Sequence, residues 1–119
     1  MVTITASTLD TLLNLSSGVP DETLEDLIDA SIDLLNLFGA DLPNLAGAAG
    51  SKSVSLESRE AGAVKLVARA VYHAFYKGID TSSVHGLSYS QTDLLGNAVV
   101  VQSVQTAARM LAELDVSVG

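Results

Sequence analysis

Two histidines, His73 and His85, are the only imidazole groups in the chain, and there is no cysteine. Zinc sites combine several imidazole or thiolate ligands at fixed spacings, but neither histidine has a second histidine or a carboxylate three or four residues away. The lack of cysteine also excludes a thiolate nucleophile and a disulfide framework. We therefore predict no metal site and interpret His73 as a solvated or interface residue.

The chain contains no convincing catalytic or phosphate-binding pattern. Ser83 and His85 lie close together, but a Ser-His-Asp site is assembled in space and is not indicated by neighbours in sequence. The segment Gly47 to Gly50 (GAAG) lacks the lysine of a P-loop and the spacing of a dinucleotide-binding turn. We therefore predict no catalytic residue and no cofactor, and we expect that the protein is not an enzyme.

Carboxylates are concentrated in the segment Asp21 to Phe38 (DETLEDLIDASIDLLNLF). If this segment is a helix, four carboxylates fall within about 60° of one another. They define an acidic stripe, which consists of Glu22, Asp26, Asp29 and Asp33. Carboxylates act as general acids or bases only in a pocket that perturbs their pKa values, and this stripe lies opposite the apolar arc of its helix. A solvated or protein-binding face is therefore favoured over a catalytic site.

The segment Ser58 to Lys77 (SREAGAVKLVARAVYHAFYK) has the periodicity of a core-facing helix that begins at a Ser58 cap and ends at Gly78. Its apolar arc contains Ala61, Val64, Ala68, Val71 and Phe75, with Val67 and Tyr72 at the edges. The opposite side carries a basic stripe, which consists of Lys65, Arg69 and Lys77, next to His73. Basic residues are otherwise scarce, so this face is expected to have a partner.

Three further helices complete the predicted bundle. A short helix runs from Thr8, as N-cap, to Leu15, and the acidic helix runs from Asp21 to Phe38 before Gly39. The last helix runs from an Asn97 cap to Leu114, because apolar residues recur at helical spacing despite the run of valines. The core is expected to include Leu24, Leu27, Ile28, Leu35, Phe38, Val64, Ala68, Val71, Phe75, Val100, Val104, Ala107, Leu111 and Leu114.

Outside the helices the sequence predicts extended or irregular backbone. Residues 1–7 are expected to form a flexible extended arm, residues 53–56 a brief strand, and residues 115–119 a loose tail. Alternation at 87–92 favours a short strand or hairpin. The long segments 39–53 and 79–96 are predicted to contact a neighbouring copy or another partner, with Tyr89 as an amphipathic anchor. The expected fold is mainly α: one domain, 1–119, a bundle of three to four helices with a small β strand or hairpin and long loops.

The net charge of −8 repels nucleic-acid phosphates and argues against a DNA-reading protein. Low lysine and excess aspartate also suit a salt-rich cytoplasm, although an ordinary acidic protein fits equally well. The N-terminal residues lack the basic and apolar regions of a signal peptide, and no apolar run is long enough for a membrane span. A soluble intracellular protein is expected.

The order of these elements resembles the head-tail adaptor, or connector, proteins of tailed viruses, a small helical family. The resemblance covers most of the chain. It is carried by the short and acidic helices from Thr8 to Phe38, by AVYHAFY at 70–76, by GLSYS at 86–90, and by the C-terminal helix and tail. The family is recognised by the order of its elements rather than by fixed residues.

The resemblance implies a homo-oligomeric ring of about twelve copies that docks beneath the portal protein in the virion. Such a ring extends the DNA channel, through which DNA passes without specific binding, and provides a platform for stopper or tail proteins. On this reading the protein is found in the virion, and in the host cytoplasm during assembly. We hypothesise that the acidic stripe of one copy meets the basic stripe of the next, so that Glu22, Asp26, Asp29, Asp33, Lys65, Arg69, Lys77 and Tyr89 are interface residues.

Two alternatives remain at this point. One is a non-viral helical interaction module that forms a small homo-oligomer through the same stripes. The other is a small enzyme or ligand-binding bundle whose site is not visible in the sequence. The mass of the native species distinguishes a large cyclic assembly from a dimer and from a monomer with a deep polar pocket.

Overall fold

The computed structural model describes residues 2–13, 21–75 and 94–118. Within these ranges the chain forms a mainly helical bundle with a small antiparallel sheet, which confirms the predicted fold class. The elements in chain order are β1 (Val2–Ile4), α1 (Ala6–Leu13), α2 (Asp21–Leu37), β2 (Val54–Leu56), α3 (Ser58–Phe75) and α4 (Ala98–Val118).

The N-terminal segment is extended at Val2–Ile4, as predicted, but it pairs with β2 and is therefore part of the folded domain rather than a flexible arm. Strand β1 pairs with β2 in antiparallel register, with Val2 opposite Leu56 and Ile4 opposite Val54. Ile4, Val54 and Leu56 are buried, because alternate residues of both short strands face the helices. The strand predicted at 53–56 is confirmed, whereas the one predicted at 87–92 lies outside the described residues.

Helix α1 begins at Ala6, two residues before the predicted start. Thr8 is therefore not the N-cap; it lies in the first turn, where its Oγ1 accepts a hydrogen bond of 3.1 Å from the backbone N–H of Thr5. The backbone oxygen of Thr5 in turn accepts a 3.0 Å hydrogen bond from the N–H of Thr8. The helix starts earlier because this reciprocal pair satisfies groups at its N-terminus. The predicted end at Leu15 lies outside the described residues.

Helix α2 begins at Asp21 as predicted and ends at Leu37, where a Schellman motif stops it. Gly39 has φ 106°, and its N–H donates to the oxygen of Asn36 at 3.2 Å while the N–H of Ala40 donates to Leu35 at 3.1 Å. The chain turns away at this point. Phe38 is consequently 39% exposed, and its predicted place in the core is wrong.

Helix α3 confirms the predicted apolar arc: Ala61, Val64, Val67, Ala68 and Val71 are all buried. Its cap is one residue earlier than predicted. The backbone oxygen of Glu57 accepts the N–H of Ala61 at 2.8 Å, and Oε1 of Glu60 accepts the N–H of Glu57 at 3.1 Å. Ser58 is therefore the first helical residue rather than the N-cap. The side chain of Phe75 and the predicted stop at Gly78 lie outside the described residues.

Helix α4 has the predicted Asn97 cap, whose Oδ1 accepts the backbone N–H groups of Val99 at 3.0 Å and Val100 at 3.2 Å. Val100, Val104 and Ala107 are buried, so helical periodicity correctly outweighs the strand propensity of the valines. Leu111 is only partly buried. The helix extends to Val118, which corrects the prediction of a loose tail after Leu114.

Helix α3 lies at the centre of the bundle and packs against α1, α2 and α4. The predicted core of α2 is confirmed at Leu24, Leu27, Ile28 and Leu35. The structure adds other buried residues that single-helix periodicity did not include, among them Ile4, Ile32, Leu34, Leu42, Leu45, Leu56 and Leu94. The core therefore includes contributions from both strands and from the loop after α2.

Truncation of Leu27 tests this packing. Leu27 is 0% exposed, so Leu27→Ala should lower the free energy of unfolding by about 2–5 kcal/mol through lost burial and a residual cavity. Leu37 is the matched control because it lies on the same helix and is 56% exposed. Leu37→Ala should change stability by about 0.5 kcal/mol or less. Equal losses for the two variants in urea denaturation would contradict the orientation of α2.

Candidate interaction surface

The four residues of the acidic stripe differ in exposure and in their hydrogen bonds. Glu22 and Asp33 are exposed, whereas Asp26 and Asp29 are half-buried. The Oδ1 atom of Asp29 accepts a hydrogen bond of 2.9 Å from the backbone N–H of Leu45 and one of 3.3 Å from Nδ2 of Asn44. Asn44 Nδ2 also donates to Oδ1 of Asp33 at 3.1 Å. Two of the four predicted interface carboxylates therefore hold the loop after α2 in the same chain.

Glu25 is the strongest anchor of this loop, and sequence reasoning did not single it out. Its side chain is 1% exposed, and its two carboxylate oxygens accept separate backbone N–H groups: Oε1 from Gly50 and Oε2 from Lys52, each at 2.8 Å. Burial of a carboxylate is costly unless hydrogen bonds replace its water, and N–H donors to an ionised group form strong bonds. The sequence feature that could have identified Glu25 as an anchor is a glutamate at the border of the apolar arc, followed by a glycine-rich loop.

Asn36 completes the row of anchors along α2. Its Oδ1 accepts the N–H of Leu42 at 2.9 Å, and its Nδ2 donates to the backbone oxygen of Leu42 at 3.0 Å. Leu42 and Leu45 are buried, and an isolated bridge joins Ala46 to Ser53. The loop is thus folded along α2, with residues 46–51 as its exposed part. Its predicted contact with a neighbouring copy stays a prediction.

The residues of the basic stripe also differ in exposure. Lys65 is half-buried next to α1, where it borders a surface pocket with Thr8 and Leu12, whereas Arg69 is exposed. His73 is exposed, and its ring lies edge-on to that of Tyr72 with centroids 5.7 Å apart. Lys77 and Tyr89, the two remaining predicted interface residues, lie outside the described residues. Arg69 is therefore the most accessible cation of this stripe within the described part of α3.

The outer face of α3, which we define as Gly62, Leu66 and Arg69, combines an exposed leucine with an exposed glycine and arginine. Leu66 is 38% exposed although it follows a half-buried lysine and precedes a buried valine. An ideal Cβ at Gly62 would meet no atom of the described residues within 4 Å. Glycine within a helix costs about 0.5–1 kcal/mol relative to alanine, and nothing in the described chain requires this one.

A cleft of about 330 Å³ lies where the end of α2, the start of α3 and the second half of α4 meet. Its apolar lining consists of Phe38, Ala40, Leu42, Ala108, Leu111 and Ala112, together with Gly39. Its charged lining consists of Asp41, Glu57, Arg59 and Glu60. Sequence reasoning missed this cleft because its residues come from three separate segments. The combination of an apolar lining and a mainly acidic border suits an apolar side chain that is flanked by a cation.

The described residues contain no group of three or more histidine, aspartate or glutamate side chains placed to hold a metal ion. No helix in the described ranges is long and apolar enough to cross a membrane. Comparison of the chain with protein-family models, curated proteins and solved structures finds no match.

The role of Glu25 can be measured directly. Glu25→Ala removes both acceptors of the Gly50 and Lys52 amides, and we expect the free energy of unfolding to fall by about 1–3 kcal/mol. The exposed Glu22 on the same helix is the control, and Glu22→Ala should change stability by about 0.5 kcal/mol or less. Hydrogen exchange should accelerate at Gly50 and Lys52 only in the Glu25 variant. Unchanged exchange at these amides would show that the carboxylate does not hold the loop.

Proposed function

We propose that this protein is a structural head-tail adaptor of a tailed virus, which forms a homo-oligomeric ring of about twelve copies beneath the portal. The observation that carries the proposal is the order of helices α1 to α4, which is the layout on which the family resemblance depends. In this role the ring binds the portal on one side and stopper or tail proteins on the other, within the virion. The protein performs no chemistry.

The charge of the protein supports a channel through which DNA passes. A net charge of −8 gives the assembled ring a strongly negative potential, which does not retain phosphate groups. DNA therefore moves through the ring without specific binding. Because like charges also repel between copies, association of the subunits requires apolar contacts and local charge complementarity.

The surface of α3 supports self-association. An exposed leucine, an exposed glycine and an exposed arginine lie on the outer face of the central helix. Exposed ion pairs contribute about 0–1 kcal/mol each, so charges on this face orient neighbouring copies more than they hold them together. A non-viral homo-oligomeric interaction module uses the same face, and the number of copies separates it from the adaptor.

Sedimentation velocity and native mass spectrometry of the purified chain test the proposal. We expect a closed species of about twelve copies, visible as rings by electron microscopy, because a head-to-tail contact with suitable rotation closes on itself. Measurements at low and high KCl provide the control for charge repulsion between these acidic subunits. A dimer under both conditions would favour the non-viral module, and a monomer under both would contradict self-association.

The location of the gene gives an independent test. We expect genes for a portal protein and a capsid protein beside it, since head-completion proteins are made together with the particles that they complete. A chromosomal setting without any virion genes would contradict the viral assignment even if a ring were observed.

A further inference from the structure

The outer face of α3 has the features of one half of a protein contact. Leu66 is exposed on a helix whose other apolar side chains are largely buried, and Arg69 lies one turn further along the same side. Gly62 lies one turn before Leu66, and no atom of the described residues fills the place where its side chain would be. The absent side chain at Gly62 allows another chain to approach the helix closely, with Leu66 and Arg69 beside the point of approach.

The cleft at the end of α2 has the complementary features. Phe38 and the partly buried Leu111 provide apolar surface, and Asp41 and Glu57 are exposed at its border. Its volume of about 330 Å³ accommodates a leucine side chain together with part of a neighbouring one. Arg59 offsets one negative charge, but the four charged residues of the lining still carry a net negative charge. The cleft therefore matches the outer face of α3 in both polarity and charge.

We propose that the outer face of α3 in one copy docks into this cleft of a second copy. Leu66 enters the apolar lining, Arg69 faces the acidic border, and Gly62 allows the two backbones to approach. The contact joins two different surfaces, so each copy offers one free face and one free cleft to further copies. This inference rests on the proposed self-association and identifies the two surfaces that form it.

The cleft is a better partner for Arg69 than the acidic stripe of α2. Asp29 and Asp33 already accept hydrogen bonds from the loop of their own chain, so a cation would compete with those donors. The cleft supplies apolar surface for Leu66 beside its carboxylates. An interface that covers the leucine and faces the arginine toward acids satisfies both groups at once.

Disulfide trapping tests the contact directly because the chain has no cysteine. Two single variants, Leu66→Cys and Ala112→Cys, are mixed and mildly oxidised, since Ala112 lines the cleft and is exposed. The control mixture pairs Leu66→Cys with Ser55→Cys, which is exposed on β2. We expect rapid formation of the Leu66–Ala112 crosslink and at least about tenfold slower reaction in the control, because held thiols react at a much higher effective concentration.

The substitution Gly62→Ala separates assembly from folding. Alanine has the higher helix propensity and its methyl group meets no atom of the described part of its own chain, so the melting temperature of the isolated subunit should rise. Self-association should weaken by about tenfold or more, since the added methyl group overpacks the close contact. A variant that is more stable and assembles as the parent does would overturn the proposal.

Charge exchange identifies the partner of Arg69. Arg69→Glu should weaken assembly, and Asp41→Lys in the same chain should restore part of it, because the reversed pair again attracts. Restoration by Glu22→Lys instead would assign Arg69 to the acidic stripe and overturn the proposed cleft.

If the parent chain assembles but the Leu66–Ala112 crosslink forms no faster than its control, the cleft is wrong while the adaptor function stands. A parent chain that never self-associates contradicts both.

Discussion

Burial of the apolar side of α3 is the constraint on which the rest of the structure depends. The helix packs against α1, α2 and α4, so most of its circumference is covered by its own chain. The small side chains of Ala63 and Ala68 permit the neighbouring helices to approach closely, and Val64 and Val67 fill the space between them. Only one narrow side of α3 remains in contact with solvent, and the residues exposed there are the ones available to a partner. The geometry of the core thus selects the candidate interaction surface.

Helix α2 has two tasks at once, and they involve different kinds of side chain. Its leucines and isoleucines pack against α3, while its carboxylates accept backbone N–H groups from the following loop. A loop rich in glycine and alanine has little apolar surface with which to fix itself, so hydrogen bonds to Glu25, Asp29 and Asn36 define its path. The acidic character of α2 is therefore partly structural. Its effect on the proposed assembly is indirect, since it positions the loop residues Asp41 and Leu42 at the edge of the cleft.

The proposed ring combines apolar contact with negative charge, and each has a separate physical role. Burial of Leu66 in the cleft would provide favourable free energy, because apolar area is removed from water. The positions of Arg69 and Asp41 would determine which surfaces meet, because opposite charges orient an encounter and like charges prevent incorrect ones. The remaining excess of acid would line the proposed channel and the outer surface. An acidic subunit that assembles through small apolar areas is consistent with a protein whose function is to join larger components.

The sequence by itself determined the helices and much of their buried sides, because apolar spacing, Asn97 and Gly39 are local signals that act within a few turns. It also indicated that the carboxylates of α2 and the basic residues of α3 each form a stripe opposite the apolar arc of their own helix. Tertiary structure decided how those groups are used. Strand β1 is fixed by pairing with residues some fifty positions later in the chain, and Glu25 is buried by a loop that returns across its helix. The cleft is formed by three segments that meet only after the core is packed. Periodicity describes one element at a time, so contacts between distant segments are absent from it, and those contacts decide which charges remain accessible.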